Sequence, residues 1–394
     1  MDEDNSTVLT PAQTGDVQPP EEGSAISVRN RPFIIITVFL ALLAVVVLIA
    51  AVASNSEKSG QNRMDDARDL ADFINYEAQA GRVFGMASGR IVTASCVETA
   101  AYDSKGRVSY QEPFEAQTPA LDCSGGMAVA YDSGGTSLRV FSVRKTVAEY
   151  TSTEKIISAC VNENGWSAVC TLEEGYKGSV TVLNNRAEAV YKWSSAGGYV
   201  FTAALSPDNR NLAVVTLHQD GDEFYSAVNL FSLSSEEQQG SYKLDNSIAL
   251  AVKYGRNGII TCLAEDRAVI LNSAGEEQGV YKYAGRTLNC FSLEAENYFV
   301  LSLSRTYTDT YSEIVAVDFA GRELGRANVM GTVRSLSAGR DTVAVLLNDS
   351  MAMFTSLMEE NGGLTSLSGA KNVFLDPDEN AIILGHISAK LYER

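Results

Sequence analysis

The pattern of apolar and polar positions divides the chain into two unequal parts. From Phe33 to Ala53 the chain reads FIIITVFLALLAVVVLIAAVA, an uncharged run in which Thr37 is the only polar side chain. At about 1.5 Å per helical residue the run is roughly 31 Å long, enough to cross the hydrocarbon core of a bilayer. It predicts one transmembrane helix over residues 32–54, with the lipid bilayer as a partner through this run.

From Gly81 onward the pattern changes to short runs that alternate apolar and polar residues, separated by turns of Gly, Asn, Asp and Ser. A turn followed by an apolar strand recurs eight times: SGRIVTAS, SGGMAVAYDS, ENGWSAVCTL, SPDNRNLAVVTL, GRNGIITCLA, EAENYFVLSL, AGRDTVAVLL and DPDENAIILG. Each of the first seven is followed by a second hairpin. Seven intervals separate Arg90 from Asn380, a mean of about 41 residues, which is the length of a four-stranded propeller blade.

Seven complete units and one partial unit predict an all-β fold, a β-propeller of eight blades over residues 82–394, with seven blades as the alternative. A single blade cannot bury both of its faces, whereas a closed ring buries a continuous core. The last unit, KNVFLDPDENAIILGHISAKLYER, supplies three strands. We therefore expect the ring to close with a fourth strand taken from the residues just before Arg82.

The segments outside the propeller are polar. Residues 1–31 combine prolines with Ser, Thr, Asp and Glu, which is typical of a disordered tail. Residues 55–81 are interpreted as a juxtamembrane stalk. From Asn62 to Ala80, apolar residues recur at three- and four-residue spacing, which predicts a short amphipathic helix, although the part from Asp72 to Gln79 is alternatively a strand.

The orientation of the predicted span rests on the basic residues beside it. Two precede the run and three follow it: Arg29, Arg31, Lys58, Arg63 and Arg68. This count does not decide the orientation. We expect the tail in the cytoplasm and the propeller outside, because the two arginines directly abut the helix and long domains translocate largely regardless of charge. The reverse orientation is the alternative. The run is longer than a usual signal-peptide core, so an uncleaved signal anchor is expected.

Composition and cysteine spacing exclude several classes of protein. With 49 acidic and 31 basic residues, the net charge of −18 repels phosphate backbones, so no nucleic-acid partner is expected. The six cysteines have no C-x-x-C spacing and are interpreted as small buried hydrophobes. Cys160 and Cys170 flank a turn, but a four-residue loop would place them opposite residues 167 and 157. No disulfide is predicted between them.

The phrases SPDNRNLAVV and DPDENAIIL, inside this blade pattern and behind one membrane helix, resemble the WD-repeat-like and YVTN-like propeller group. The order of units from Val83 to Tyr392 is more closely similar to a family of membrane-anchored propellers from clostridial-type bacteria, a domain of unknown function. This resemblance implies a bacterial cell-envelope setting and carries over no catalytic residue. The G-H and W-D signatures of true WD repeats are absent, so the partners of those scaffolds are not inferred.

Motifs for catalysis or cofactor binding are scarce. His218 and His386 are the two histidines, too few for a His-rich metal site. Trp166 and Trp193 are too few for the repeated tryptophan docking of quinone-cofactor propellers. The nearest match to G-x-S-x-G, residues 165–169, lacks the closing glycine and is interpreted as part of an inner core strand. We expect no cofactor and no enzyme. The alternative is a hydrolase or lactonase-like propeller using central-channel carboxylates or a metal.

The loop LHQDGDEFY at residues 217–225 gathers acidic side chains around Gly221. Clustered carboxylates can bind a hard cation such as calcium, and His218 stands beside Asp220, Asp222 and Glu223. The spacing does not match the EF-hand pattern. We interpret the segment as a solvated loop without a metal.

The longest connections join the second and third strands of blades 3, 4 and 6, at residues 173–179, 218–226 and 304–313. In a propeller these connections emerge on one face, together with the links between blades. They carry five aromatic residues: Tyr176, Phe224, Tyr225, Tyr307 and Tyr311. Aromatic residues among Ser, Thr and Asp are typical of recognition surfaces. The sequence therefore predicts a membrane-anchored, extracytoplasmic binding or scaffold module whose partner is a protein, peptide or envelope glycan.

Overall fold

Short antiparallel strands make up nearly all of the regular structure in the computed structural model, which describes residues 64–255, 258–306 and 309–393. Two strands precede the first complete blade: β1 (Met64–Asp66) and β2 (Asp72–Asn75). A 3-10 helix, Ala67–Asp69, lies between them.

The strands then follow in eight groups. Blade 1 contains β3 (Val83–Ala87), β4 (Arg90–Ala94), β5 (Glu98–Tyr102) and β6 (Val108–Pro113). Blade 2 contains β7 (Pro119–Ser124), β8 (Met127–Asp132), β9 (Ser137–Ser142) and β10 (Thr146–Thr151). Blade 3 contains β11 (Ile156–Val161), β12 (Ser167–Thr171), β13 (Ser179–Leu183) and β14 (Ala189–Ser194). Blade 4 contains β15 (Tyr199–Leu205), β16 (Asn211–Asp220), β17 (Glu223–Ser232) and β18 (Gln238–Leu244).

Blade 5 contains β19 (Ala249–Tyr254), β20 (Ile260–Ala264), β21 (Arg267–Leu271) and β22 (Glu277–Lys282). Blade 6 contains β23 (Thr287–Ser292), β24 (Tyr298–Ser304), β25 (Tyr311–Asp318) and β26 (Glu323–Met330). Blade 7 contains β27 (Ser335–Ala338), β28 (Thr342–Leu346), β29 (Met351–Thr355) and β30 (Glu360–Thr365). Blade 8 contains β31 (Asn372–Leu375), β32 (Ala381–Leu384) and β33 (Ser388–Tyr392).

These groups form eight sheets, which confirms the eight-bladed propeller and shows that the seven-bladed alternative is wrong. In blades 1 to 6 each sheet keeps its four strands in chain order, and the first strand of each blade lines the central channel. The second strands β12, β20 and β28 are buried along their whole length. Because neighbouring blades cover both faces of these strands, they read as continuous apolar runs.

The ring closes with strands from both ends of the described chain. Strand β2 pairs antiparallel with β33 and completes blade 8 as its outer strand. The prediction of a borrowed fourth strand from residues before Arg82 is therefore confirmed. The sequence pattern did not predict the position of strand β1. This strand pairs parallel with β30 and makes blade 7 five-stranded.

The amphipathic helix predicted from Asn62 to Ala80 is wrong over its described part. Strands β1 and β2 replace it, so the ring begins by Met64 rather than at Arg82, and the strand alternative holds over Asp72–Asn75. Ala67 and Ile74 are each 1% exposed. The open edges of blades 7 and 8 offer backbone partners and apolar contacts that outweigh a weak local helix preference.

Among the described residues, no helix is long and apolar enough to span a bilayer. The predicted tail 1–31 and the predicted span from Phe33 to Ala53 lie outside those residues. In blade 3, Cys160 lies opposite Ala168 and Cys170 opposite Ser158, one residue from the predicted register. The two sulfurs are therefore diagonal neighbours, and both are free thiols. The stretch from Trp166 starts the second strand of the blade, not the inner one as predicted, although it does pack in the core.

Candidate functional site

Antiparallel strand order assigns every connection to one of two faces of the ring. The connections between second and third strands, and the links between blades, emerge on one face, which we call the loop face. The turns between first and second strands emerge on the other, which we call the turn face. Residues predicted to bind a partner belong to the loop face.

The loop predicted at residues 218–226 is instead a long hairpin. Strands β16 and β17 stay paired as far as Asp220 and Glu223, so only Gly221 and Asp222 form the turn. Gly221 has φ 59°, a left-handed conformation that glycine adopts at little cost and that suits a two-residue hairpin turn. The hairpin extends blade 4 outward on the loop face. No group of three or more His, Cys, Asp or Glu side chains that could hold a metal occurs in the described part of the chain.

Tyr225 is held in place on this hairpin. Its ring stacks on that of His218, the residue directly opposite, with centroids 4.9 Å apart and planes 6° apart. Lys243 Nζ lies 4.3 Å from the centroid of the Tyr225 ring. Nε2 of His218 is hydrogen-bonded to Oγ1 of Thr216 at 2.8 Å. Burial, followed by the Lys243 ammonium, lowers the pKa of His218, so the imidazole is neutral at physiological pH.

The neighbouring loop of blade 3 is tied to the link between blades 3 and 4. The N–H of Lys177 donates to the carbonyl of Ser195 at 2.7 Å, and the N–H of Val200 donates to the carbonyl of Lys177 at 3.2 Å. Lys177 Nζ donates to the Tyr199 hydroxyl at 3.0 Å and lies 4.5 Å from the centroid of its ring. A Cβ on Gly198 would lie 2.4 Å from Nε2 of His218, so this glycine lets the link pack on the blade 4 hairpin.

Large apolar side chains are exposed around this junction on the loop face. We define the aromatic patch as Leu172, Tyr176, Tyr199 and Tyr225. Three of them are about half exposed: Leu172 at 51%, Tyr176 at 51% and Tyr199 at 56%. Tyr225 is partly buried by its stacking partners. Single exposed apolar residues are ordinary, but several beside one another mark interaction surfaces.

Two of the five predicted binding residues, Tyr176 and Tyr225, lie at the junction of blades 3 and 4. Phe224 is 47% exposed, but it is paired with Gln219 and points to the blade 5 side of the hairpin, whereas Tyr225 points to the blade 3 side. Tyr311 starts β25 in blade 6, opposite Met330, which is 84% exposed. Blade 5, whose corresponding connection is short, separates these two places. Tyr307 lies outside the described residues.

Sequence reasoning missed Leu172 and Tyr199. Both flank the long connections rather than lying within them. Tyr199 begins the inner strand of blade 4, and strand-starting tyrosines are usually interpreted as strand formers. The links between blades share the loop face with the long connections. An aromatic residue at the end of a link, as in GGYVF, was the available signal.

A second candidate site lies in the central channel near the turn face. Lys253 and Glu294 form an ion pair at 2.5 Å between blades 5 and 6. Asp122 of blade 2 shares a cavity of about 360 Å³ with both. Its Oδ2 accepts a hydrogen bond from the N–H of Val161 at 2.9 Å. Burial inside the ring raises the pKa of Asp122 to about 6, against the hydrogen bond and the Lys253 charge, which lower it.

No sequence motif marks this channel group. Asp122, Lys253 and Glu294 come from the ends of three first strands or the turns after them. Asp122 and Lys253 have apolar neighbours in the chain, whereas Glu294 is followed closely by Glu296. The available signal was a charged residue inside an apolar run, as in ALDCS and ALAVKY. Each such residue, considered alone, is equally compatible with a solvent-facing strand position.

Solved structures with the same architecture share little sequence with this chain. BamB from Moraxella catarrhalis is 12% identical, with a TM-score of 0.54, covering 82% of this chain and 98% of that one. The C-terminal WD40 domain of Sif2 is 10% identical, with a TM-score of 0.59, covering 84% and 98%. The β-propeller domain of Myceliophteria thermophila Cps50 (Swd1) is 10% identical, with a TM-score of 0.51, covering 81% and 99%. At these identities the likeness shows the fold alone.

Comparison of the amino-acid sequence with known families identifies one matching family. No curated protein matches the chain. Residues 75–362 match the model of DUF5711, which is described as a family of unknown function. The matched range starts at the last residue of β2 and ends within β30, so it covers blades 1 to 6 and most of blade 7.

Proposed function

Because this chain belongs to the DUF5711 family, whose description assigns no activity, we propose its function from the geometry of the ring: it is a binding or scaffold module that holds a protein or peptide partner on the aromatic patch. The observation that carries the proposal is the exposure of Leu172, Tyr176 and Tyr199 at the junction that also holds the braced Tyr225. A propeller ring supports this use, because it presents loops from several rigid blades on one face.

The patch has the features of an interface before any partner arrives. Tyr199 is fixed by Lys177, and Tyr225 is fixed by His218 and Lys243. Side chains that are already ordered lose little conformational entropy when they bind, so their contact area is converted more fully into affinity. Rigid tyrosines are also the anchors that dominate many protein interfaces.

The chemistry around the patch favours a protein or peptide over a purely apolar partner. The tip of the blade 4 hairpin carries Asp220, Asp222 and Glu223, while Lys177 and Lys243 lie against the aromatic rings. An apolar centre with a charged rim is the usual composition of a protein interface. An envelope glycan stacked on the tyrosines is an alternative that the same variants test.

The binding test compares two double variants on the same face. Leu172→Ser with Tyr176→Ser removes two exposed side chains of the patch. Tyr311→Ser with Met330→Ser removes two exposed side chains of blade 6 and serves as the matched control. We expect the patch variant to lose tenfold or more in partner affinity, because an aromatic anchor contributes about 2 kcal/mol or more. Melting temperatures should match, since all four side chains lie outside the core.

Partners are first captured by cross-linking in membranes of the native organism and identified by mass spectrometry. The affinity of the purified partner is then measured for the parent chain and both variants. If the blade 6 variant loses binding and the patch variant does not, the site lies at Tyr311. If both variants bind like the parent, the aromatic patch is not the interface. Recovery of a polysaccharide in place of a protein would favour the glycan alternative.

We also propose that the module is anchored at the bacterial cell envelope by the apolar run from Phe33 to Ala53, with the propeller outside the cytoplasm. The support is the length of this uncharged run. Alkaline carbonate should not extract the full chain from membranes. Protease added to intact spheroplasts should leave a fragment no larger than the tail and the span. Protection of the whole propeller would show the reverse orientation.

A hydrolase or lactonase-like activity is the second candidate, and Asp122 is the observation that favours it. A carboxyl group whose pKa is raised to about 6 is suited to proton transfer near neutral pH. Hydrolysis of esters or lactones by the purified chain, abolished by Asp122→Asn or by chelation, would support this candidate. A chain that turns over no member of an ester and lactone panel would leave the binding module as the function.

A further inference from the structure

The central channel contains two cavities that meet at Asp122. One, of about 580 Å³, opens between blades 1, 2, 6, 7 and 8 near the turn face. The other, of about 360 Å³, lies deeper among the first strands. Asp122, Cys123, Glu294, Ser337 and Phe374 line both. These volumes are in the range of sites that hold small organic molecules.

The surrounding wall has both apolar and charged parts. Met86, Leu121 and Leu375 line the larger cavity, Phe291 lines the deeper one, and Phe374 lines both. Glu296 and Arg340 also line the larger cavity. Glycine lets neighbouring turns pack closely at the mouth, because a Cβ on Gly89 would lie 2.4 Å from Pro377 and one on Gly339 would lie 2.8 Å from Oε1 of Glu379.

The carboxylates at the mouth are not equivalent. Asp376 accepts hydrogen bonds from the N–H groups of Asp378 and Asn380 in its own turn, both at 2.9 Å. Glu379 accepts bonds from the N–H of Asp341 at 2.7 Å and from Oγ1 of Thr342 at 2.9 Å. Asp376 therefore stabilises its own turn, and Glu379 joins the turn of blade 8 to that of blade 7.

Deeper in the channel, Glu294 is paired with the Lys253 ammonium at 2.5 Å, so that cation is already neutralised. Asp122 accepts a hydrogen bond from the N–H of Val161, and within the described chain no basic side chain lies within ion-pair distance of it. When Asp122 is ionised, it leaves one uncompensated negative charge among these three residues. The apolar walls make that charge costly, since burial penalises a carboxylate without a cation.

We propose that the central channel binds a small organic amine, with its ammonium group at Asp122 and its apolar body against Phe374 and Leu121. An ammonium ion donates hydrogen bonds to the carboxylate and compensates its charge in a partly desolvated site. A neutral molecule of the same shape would leave Asp122 uncompensated, and an anion would be repelled by it. The site is separate from the aromatic patch and does not depend on it.

Phenethylamine, phenethyl alcohol and hydrocinnamate are suitable probes, because they share an apolar body and differ in charge. Their binding to the purified full-length chain is measured by calorimetry at pH 8, where Asp122 is ionised. We expect the amine to bind at least tenfold more tightly than the alcohol, and the carboxylate to bind more weakly than both. Equal affinity for amine and alcohol would overturn the proposal, as would failure of the amine to bind.

Three variants assign the effect to Asp122. Asp122→Asn should weaken amine binding about tenfold or more and remove the preference over the alcohol. Lys253→Met frees Glu294 from its partner and should tighten amine binding. Asp222→Asn removes the same charge at the tip of the blade 4 hairpin and should change nothing. Unchanged amine affinity in Asp122→Asn, or weaker binding in Lys253→Met, would show that Asp122 is not the site.

Folding of the Asp122→Asn variant can be checked independently. The pKa of Asp122 is raised from 3.8 to about 6 in the folded chain, so ionisation at pH 8 disfavours the folded state relative to the unfolded one. The neutral amide removes this effect and can still accept the Val161 N–H. The variant should therefore melt no lower than the parent at pH 8. The patch variant Leu172→Ser with Tyr176→Ser should bind phenethylamine like the parent, which separates this test from that of the proposed function.

Discussion

Blade 4 and blade 8 are both four-stranded sheets, but they are built in opposite ways. Blade 4 is continuous in sequence, and its middle strands β16 and β17 have 10 residues each. Blade 8 joins three short strands at the C-terminal end to β2, and its strands have four or five residues. One blade extends beyond the ring on the loop face, and the other barely spans the ring.

Side chains strengthen the junction in blade 8. The Tyr76 hydroxyl lies 3.0 Å from the carbonyl oxygens of Gly385 and Ser388. Lys390 Nζ donates to the carbonyls of Ala67 and Leu70 at 2.9 and 2.6 Å. All these bonds join the two ends of the described chain. In a closed ring the last blade covers the faces of two neighbours, so local contacts there stabilise the whole ring.

The comparison indicates that blade 8 contributes mainly to the stability of the ring, whereas the extension of blade 4 is available for binding a partner. The extension of blade 4 lies outside the ring, so its side chains are available to a partner and contribute little to the fold. Blade 8 buries apolar residues against both neighbours. Its Val373 and Ile383 pack in a cluster with Met353 of blade 7, and its Ile382 and Leu384 pack with Ile91 of blade 1.

The largest expected effect is that of removing blade 8. A chain that stops after Ala370 lacks β31, β32 and β33, which exposes the apolar faces of blades 7 and 1 and leaves β2 without a partner. We expect cooperative thermal unfolding of the propeller to disappear, because the loss far exceeds the net stability of a typical domain. Circular dichroism and calorimetry of the truncated chain measure this.

The matched control for that truncation shortens blade 4. Residues 219–224 are replaced by Asn-Gly, which joins His218 to Tyr225 through a two-residue turn and keeps the register. This variant should melt within a few degrees of the parent. A truncated blade 8 that melts like the shortened blade 4 would mean that the ring does not need its last blade.

A smaller loss is expected from Trp193→Ala at the junction of blades 3 and 4. The Trp193 ring packs 4.8 Å from that of Phe231, which is fully buried in blade 4. Removing a large aromatic side chain from a core contact costs about 2–4 kcal/mol when the site cannot collapse. Urea unfolding measures the change in the free energy of unfolding. A loss below about 1 kcal/mol would show that this junction repacks, and that blade 4 is joined less tightly to its neighbour than blade 8 is to its own.

The smallest expected effect is a difference in stability between two Tyr→Phe variants, one in each of these regions. Tyr76→Phe removes a hydroxyl that donates to a carbonyl of blade 8, and it should lower the free energy of unfolding by about 1 kcal/mol. Tyr225→Phe keeps the ring that stacks on His218 and should change stability by less than about 0.5 kcal/mol. Both are measured by urea unfolding under the same conditions. Equal losses of stability in the two variants would contradict the assignment of ring closure to blade 8 and partner binding to blade 4.

Only some of the candidate binding residues could be predicted from the local sequence pattern. Tyr176, Phe224 and Tyr225 could be found from the sequence, because long connections interrupt the blade repeat where they occur. Tyr199 could not be separated from an ordinary strand residue, because its exposure depends on the loop of blade 3 that packs beside it. The hairpin at Gly221 was interpreted as a loop, since its polar residues hide a strand that continues outside the core.

The sequence by itself determined the repeat, the number of blades and the closure by an upstream strand. These follow from alternation, turn residues and spacing, which are local properties of the chain. Tertiary structure decided that Asp122, Lys253 and Glu294 share one channel, and that β1 adds a fifth strand to blade 7. The reason is physical. A ring brings together residues from distant blades, and neither their distances nor the open edge that captures β1 is encoded in the neighbouring residues.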